Sequence, residues 1–299
     1  MASKRHRVED DNEDIAYLNL SLIHVFLVNY SIFFGFTLLA IGIPVPEERN
    51  PFEKFEPKRL FYQYGKEHAF CYNTDAHIPS EYISIFRRAV LYVWNNVSFR
   101  LACCLSMPYR MAINLIIFHD LQLNLRPENL SYRILNLLAL LLSTVDVMAL
   151  TLVAIIHIIL DMPKAYEVAF TTWIITAAAA IALNGLLGTF RTIENHCDRI
   201  IFYLKAISTI FFLWQAPFLY NFHAAFMRFP SCHSFVSFDA AFAEYAVLGA
   251  YFTSELIKVY EMKDNRMMMY PRTSSGECCP LEPKNFEGGK FSGIDNDSC

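Results

Sequence analysis

Charge is scarce in this sequence. Asp, Glu, Lys and Arg make up 18% of the 299 residues, against roughly 25% in soluble domains, while 55% of the side chains are hydrophobic and the mean hydropathy is +0.28. An ordinary soluble globular domain is excluded. A basic stripe is missing too: the formal charge is -4 and no finger, RRM or helix-turn-helix spacing occurs, so no nucleic-acid partner is expected. There is no Gly-x-Ser-x-Gly elbow, no His-Glu-x-x-His site and no Cys-x-x-Cys pair, which removes the usual sources of a nucleophile, base or metal site. No cofactor is expected, and no internal repeat of fixed period is present.

What the sequence does have is long apolar runs. A bilayer core about 30 Å thick needs around 20 mostly apolar residues per helix, because backbone amides in hydrocarbon must satisfy one another. Six stretches qualify: Asn19–Ile43, Val97–Phe118, Ile134–Leu160, Ala169–Phe190, Arg199–Tyr220 and Phe238–Tyr260. The expected fold is all-α, a polytopic six-transmembrane-helix bundle with a long first lumenal loop, Pro44–Asn96. Pro108 and Arg110 interrupt the second stretch, whose alternative is a buried or re-entrant helix. The first apolar run exceeds the 7 to 15 residues of a cleavable signal core, so it reads as an uncleaved anchor.

Lys and Arg in short flanks set orientation. Lys4, Arg5 and Arg7 precede the first stretch, Arg126, Arg133, Arg191 and Arg199 fall in the second and fourth connections, and Lys258, Lys263, Arg266 and Arg272 follow the last. The third and fifth connections carry only Lys164 and Arg228. Both termini are therefore expected in the cytosol, with a cytosolic segment 1–18, a membrane domain 19–261 and a tail 262–299 whose composition is that of a disordered chain. Of the eight cysteines, Cys71 and Cys232 fall in lumenal loops outside the apolar runs, where disulfides persist. A bridge between them is expected, the alternative being two free thiols.

Ionisable groups inside a membrane are expensive and are usually functional or paired. Asp146 is central in the third stretch, and His157 lies eleven residues on, on the same face and about 16 Å nearer the lumen at 1.5 Å per residue. Lys205 shares the cytosolic depth of Glu255, which reads as a structural ion pair. At the lumenal depth, Arg100, His157, Glu167, His223 and Glu244 could line one site for an anionic headgroup, with Arg100 offering a planar fork suited to phosphate. Snorkelling to water explains each of these residues taken singly. A catalytic version would use His223 or His157 as general base, tuned by Glu244 or Glu167. A channel or transporter version would use Asp146 and Glu244 as an ion relay.

Three short motifs, taken in order, resemble one family. They are Asp146-Val-Met-Ala-Leu150 with Asp161 fifteen residues on, Tyr166-Glu167-Val-Ala-Phe170, and Phe242-Ala-Glu244-Tyr245. With Cys71 ahead of Pro79-Ser80, Arg100 opening the second stretch and Cys232 twelve residues before Glu244, they are similar to the FRAG/DRAM/SFK membrane proteins over roughly residues 22–262. The chain departs from that pattern at Tyr166 and Glu255, where the family has histidines, and between His223 and Cys232, where residues are inserted. The resemblance implies a Golgi or endoplasmic-reticulum membrane protein that remodels GPI-anchor lipid. It would be required for fatty-acid reacylation of lyso-GPI-anchored proteins in the lumenal leaflet, either as a GPI acyltransferase or as an accessory factor to one. Its partners would be membrane lipid, GPI-anchored proteins and other GPI-remodelling enzymes, with Arg100 and Asp146 at the headgroup. Other branches of the family imply a non-catalytic membrane regulator or lipid-binding scaffold instead.

Overall fold

The computed structural model describes residues 18–43, 82–124, 130–156, 162–188, 196–228 and 234–263, with the short stretches 266–269, 286–287 and 290–291. Among these residues the chain forms seven α-helices: α1 (Leu22–Gly42), α2 (Ile85–Leu91), α3 (Val93–Asn124), α4 (Leu130–Ile155), α5 (Pro163–Gly188), α6 (His196–Arg228) and α7 (Phe238–Glu261). Short strands flank them. β1 (Leu18–Ser21) pairs antiparallel with β4 (Arg266–Met269), and β2 (Tyr82–Ile83) with β3 (Phe235–Val236).

Five helices, α1 and α3 to α6, are long and apolar enough to cross a membrane. Their exposed side chains are themselves apolar, as Val28, Ile175, Ile210 and Trp214 illustrate, which suits a surface solvated by lipid rather than water. α7 has 24 residues, among them Glu244, Glu255 and Lys258, and is not one of the five. The second stretch, read as a span with a buried or re-entrant helix as its alternative, is among these five. α3 runs unbroken through Pro108 and Arg110 for 32 residues. That is about 48 Å at 1.5 Å per residue, longer than the hydrocarbon core, because a helix continues past the depth at which its apolar composition ends. Pro108 removes one N–H from the ladder, a loss that membrane helices tolerate when neighbours cover the freed carbonyl.

Helix packing follows a ring: α1 on α3, α3 on α4, α4 on α5, α5 on α6, α6 on α7, and α7 back on α1. The main core fills the ring with Trp173, Phe170, Phe212, Tyr251 and Leu150. At the end where α1 begins, here the near end, Phe26 packs with Ile113, Val259 and Met262, and β1 meets β4. At the opposite, far end α2 packs on α3 and α1 with six of its seven residues buried. Arg88 donates to the Ile41 carbonyl and Asn95 to the Ala40 carbonyl (2.6 Å), tying α2 and α3 to the last turn of α1.

Several expectations fall on undescribed positions. Residues 44–81 of the long loop, Cys71 among them, then Cys232, His157 and Asp161, and most of segments 1–18 and 262–299 lie outside the described residues, whereas the last part of that loop forms β2, α2 and the start of α3.

Candidate functional site

At the far end, α2 starts with the sequence Ser84-Ile85-Phe86-Arg87. The first N–H groups of a helix have no partner within it, and here side chains supply them. Ser84 Oγ accepts from Arg87 N at 3.2 Å and Glu244 Oε1 from Phe86 N at 2.7 Å, with Ser84 and the Ile85 N–H also within hydrogen-bonding reach of the Glu244 carboxylate. Glu244 is 4% exposed. The carboxylate expected to serve a headgroup or tune a catalytic histidine is thus occupied in holding α2. Arg87 extends the anchorage, donating to the Phe235 carbonyl at 3.3 Å and lying 5.0 Å over the Phe226 ring. Burial holds the Arg87 guanidinium below its ordinary value, opposed only in part by the Glu244 carboxylate.

Phe86 points from α2 into the bundle. Its ring centroid lies 5.4 Å from Phe170, 5.5 Å from His223, 5.6 Å from Trp173 and 6.0 Å from Phe99. Beneath it, His223 Nε2 meets the Tyr166 hydroxyl at 3.0 Å, both groups being buried. The histidine is therefore oriented by a phenol and boxed by Phe170, Phe226, Tyr166 and Phe86. The structure does bring His223 and Glu244 to one residue, Phe86, with Tyr166 bonded to the histidine. Arg100 is placed elsewhere at the same end: its Nε and Nη2 donate to the carbonyls of Ala154 and Ile155 at 3.1 and 2.9 Å. A cation over the last carbonyls of a helix complements both the unpaired acceptors and the helix dipole. Glu167 is half-buried.

Asp146 does not join Arg100 at a headgroup site. It is 1% exposed within the bundle, its carboxylate accepting from the Tyr251 hydroxyl at 2.9 and 3.0 Å and lying 3.8 Å from Arg110 Nη2. Arg110 also donates from Nε to Glu255 at 3.2 Å and from Nη2 to the Tyr251 hydroxyl, with the rings of Phe33 and Tyr251 at 4.8 and 5.2 Å from its guanidinium carbon. Lys258 completes the set, donating to Glu255 at 2.7 Å and to Asn114 at 3.3 Å. Two cations and two carboxylates balance. This corrects the expected Lys205–Glu255 pair, because Lys205 instead reaches Glu261 at 2.5 Å. At 100° per residue Glu255 and Lys258 lie within 60° of one another, on the face of α7 turned to α3, while Glu261 sits 120° round. Depth alone had suggested the pairing, and azimuth decides it. Nor do Asp146 and Glu244 form a relay, since the rings of Tyr251, Trp173 and Phe86 stand in succession between them.

Arg110, Lys258, Tyr251, Ser84 and Arg87 were given no place in a site. Arg110 had a legible signal, a lone cation mid-helix that needs a buried anion, and Asp146 was the obvious candidate. The role of Ser84 and Arg87 had no such signal, because α2 is too short to announce itself.

No family profile matches the chain, and no solved structure matches it. An uncharacterized protein of Caenorhabditis elegans is 27% identical over 293 residues, covering 96% of this chain and 83% of that protein. The similarity thus extends over all the helices together with both flanks.

Proposed function

We propose that this chain is a six-span membrane protein of the Golgi or endoplasmic reticulum, with both termini cytosolic, that serves GPI-anchor lipid remodelling as an accessory factor rather than as the acyltransferase. The resemblance to the FRAG/DRAM/SFK family, in particular its post-GPI-attachment branch, supports the pathway. The observation that carries the accessory role is the closure of the far end. Glu244 is occupied as the cap of α2, and His223 is held by Tyr166 beneath Phe86. A general base must reach the proton it removes, directly or through one water, and here the base is walled in by rings. The headgroup would be recognised at the rim of the far end, where Arg100 crowns α4. In this reading α7 is the sixth span, its charges satisfied inside the bundle by Arg110 and the α2 backbone.

The test is rescue of cells lacking their own reacylation factor, reading the surface level and lipid composition of a GPI-anchored reporter. The expected result is a restored surface level with a saturated anchor, and its loss in Arg100→Ala. Failure to rescue despite correct Golgi delivery would refute the pathway and favour the scaffold reading. A saturated anchor formed by the purified chain with lyso-GPI and an acyl donor would refute the accessory role.

A further inference from the structure

Between α3, α5, α6 and α7 at the near end lies a small cleft that no function above uses. Its volume is about 20 Å³, and its lining includes the polar groups of Asn184, Lys205 and Glu261 with Ile117 and Leu187 as apolar walls. A water needs roughly 10–15 Å³ of such space and two to four polar partners. Both requirements are met.

Two lines of polar residues run inward from the cleft. Asn184 donates to Ser143 Oγ at 3.4 Å, and Ser143 is one turn from Asp146 on α4. Lys258 is likewise one turn from Glu261 on α7, as Asn114 is from Ile117 on α3, and Lys258 and Asn114 are themselves hydrogen-bonded. Along that second line two donors stand unanswered: Asn114 Nδ2 and Arg110 Nη1 are buried and meet no acceptor among the described residues. An unpaired buried donor is destabilising, more so when charged. The carboxylate oxygens nearby are already engaged, so the network has a surplus of donors and calls for a guest that accepts. On the other side of the network the succession Tyr251, Trp173, Phe170, Phe86 closes the way to the far end.

We infer that the near-end cleft is a water inlet: water bound between Asn184, Lys205 and Glu261 continues to Asn114 and Arg110, hydrating the Arg110–Asp146–Glu255–Lys258 network from one aqueous phase only. The inlet does not depend on which phase the near end faces, so failure of the proposed orientation would leave it standing.

Hydroxyl-radical footprinting of the full chain in lipid nanodiscs, with radicals generated from water by X-ray pulses, tests this directly. Tyr251 and Tyr166 are both 1% exposed, one on the network and one behind the aromatic layer. The expected result is oxidation of Tyr251 several-fold faster than Tyr166. Gly188→Leu should bring Tyr251 down to the rate of Tyr166, since even a Cβ there would stand 3.4 Å from Lys205 Nζ and a leucine would fill the cleft. Asn184→Leu should act in the same direction by removing a polar partner, and it decides the matter if Gly188→Leu exposes Tyr166 by unfolding. Equal protection of the two tyrosines would overturn the inlet. So would oxidation confined to Leu187 in the cleft, or a Tyr251 rate unmoved by Asn184→Leu.

Discussion

Replacing Arg110 with leucine should cost more stability than replacing Asp146, and replacing both should cost less than replacing Arg110 alone. The order follows from the partners. Arg110 faces two carboxylates, Asp146 at 3.8 Å and Glu255 at 3.2 Å, and its removal leaves the group with two anions and one cation. Breaking a buried ion pair from one side costs about 3–5 kcal/mol in soluble proteins, though polar contacts between membrane helices have measured lower, so roughly 3 kcal/mol is expected for Arg110→Leu. After Asp146→Leu the guanidinium keeps Glu255, and the loss should be nearer 1–2 kcal/mol. In the double variant the Glu255–Lys258 pair at 2.7 Å stays neutral and intact, so about 2 kcal/mol of coupling should return. Reversible unfolding in mixed micelles by rising SDS mole fraction reads all four proteins. If the double variant loses the sum of the two single losses, the residues do not act on each other and the network as described is wrong.

Other consequences are as open to measurement. Glu244→Gln keeps a carbonyl oxygen for the Phe86 N–H and should leave α2 in place, whereas Glu244→Ala should speed amide exchange over residues 86–91, with a loss of about 1 kcal/mol as for other helix caps. Phe86→Ala empties the space between Phe99, Phe170, Trp173 and His223 and should cost about 3–5 kcal/mol; a loss under 1 kcal/mol would mean that Phe86 does not sit there. Lys205→Ala and Glu261→Ala should couple with each other in a double-mutant cycle by about 0.5–1 kcal/mol, and Lys205→Ala should not couple with Glu255→Ala. If both termini are cytosolic, as proposed, Asn296 in Asn296-Asp-Ser should stay unglycosylated in microsomes; a glycan there would overturn the six-span orientation.

How much of this was legible in the sequence varies with the force that sets each feature. The bilayer demands a minimum apolar length, so the stretches around α1, α4 and α5 could be read within a few residues of their cores. Helix ends could not, because α3 and α6 run on into polar sequence at both ends, from Val93 to Asn124 and from His196 to Arg228. The far-end grouping of His223 and Glu244 was anticipated from depth, but depth is one coordinate of three. It could not show that Tyr166 rather than a carboxylate holds His223, or that Lys205 turns to Glu261. α2 was invisible for another reason. Its seven residues form a helix because Ser84 and Glu244 supply acceptors and Arg87 and Arg88 tie it down, and half of those partners are far away in sequence.

These placements change what a loss of function can mean. Asp146 carries the first of the motifs that suggested a family, and a mutant at that position would ordinarily be read as damage to a lipid site. In this fold Asp146 belongs to an ion network walled off from the far end by Tyr251, Trp173 and Phe86, so Asp146→Asn acts first on the packing of α3, α4 and α7. Arg100 is different, because it holds the carbonyls of Ala154 and Ile155 at the rim and its Nη1 is not engaged by either bond. Arg100→Lys keeps the charge over the helix end but removes the fork. If remodelling requires phosphate at that fork, Arg100→Lys should lose reporter lipid remodelling while keeping the wild-type unfolding midpoint, and Asp146→Asn should lose both together. Full activity in Arg100→Lys would move the headgroup away from α4 altogether.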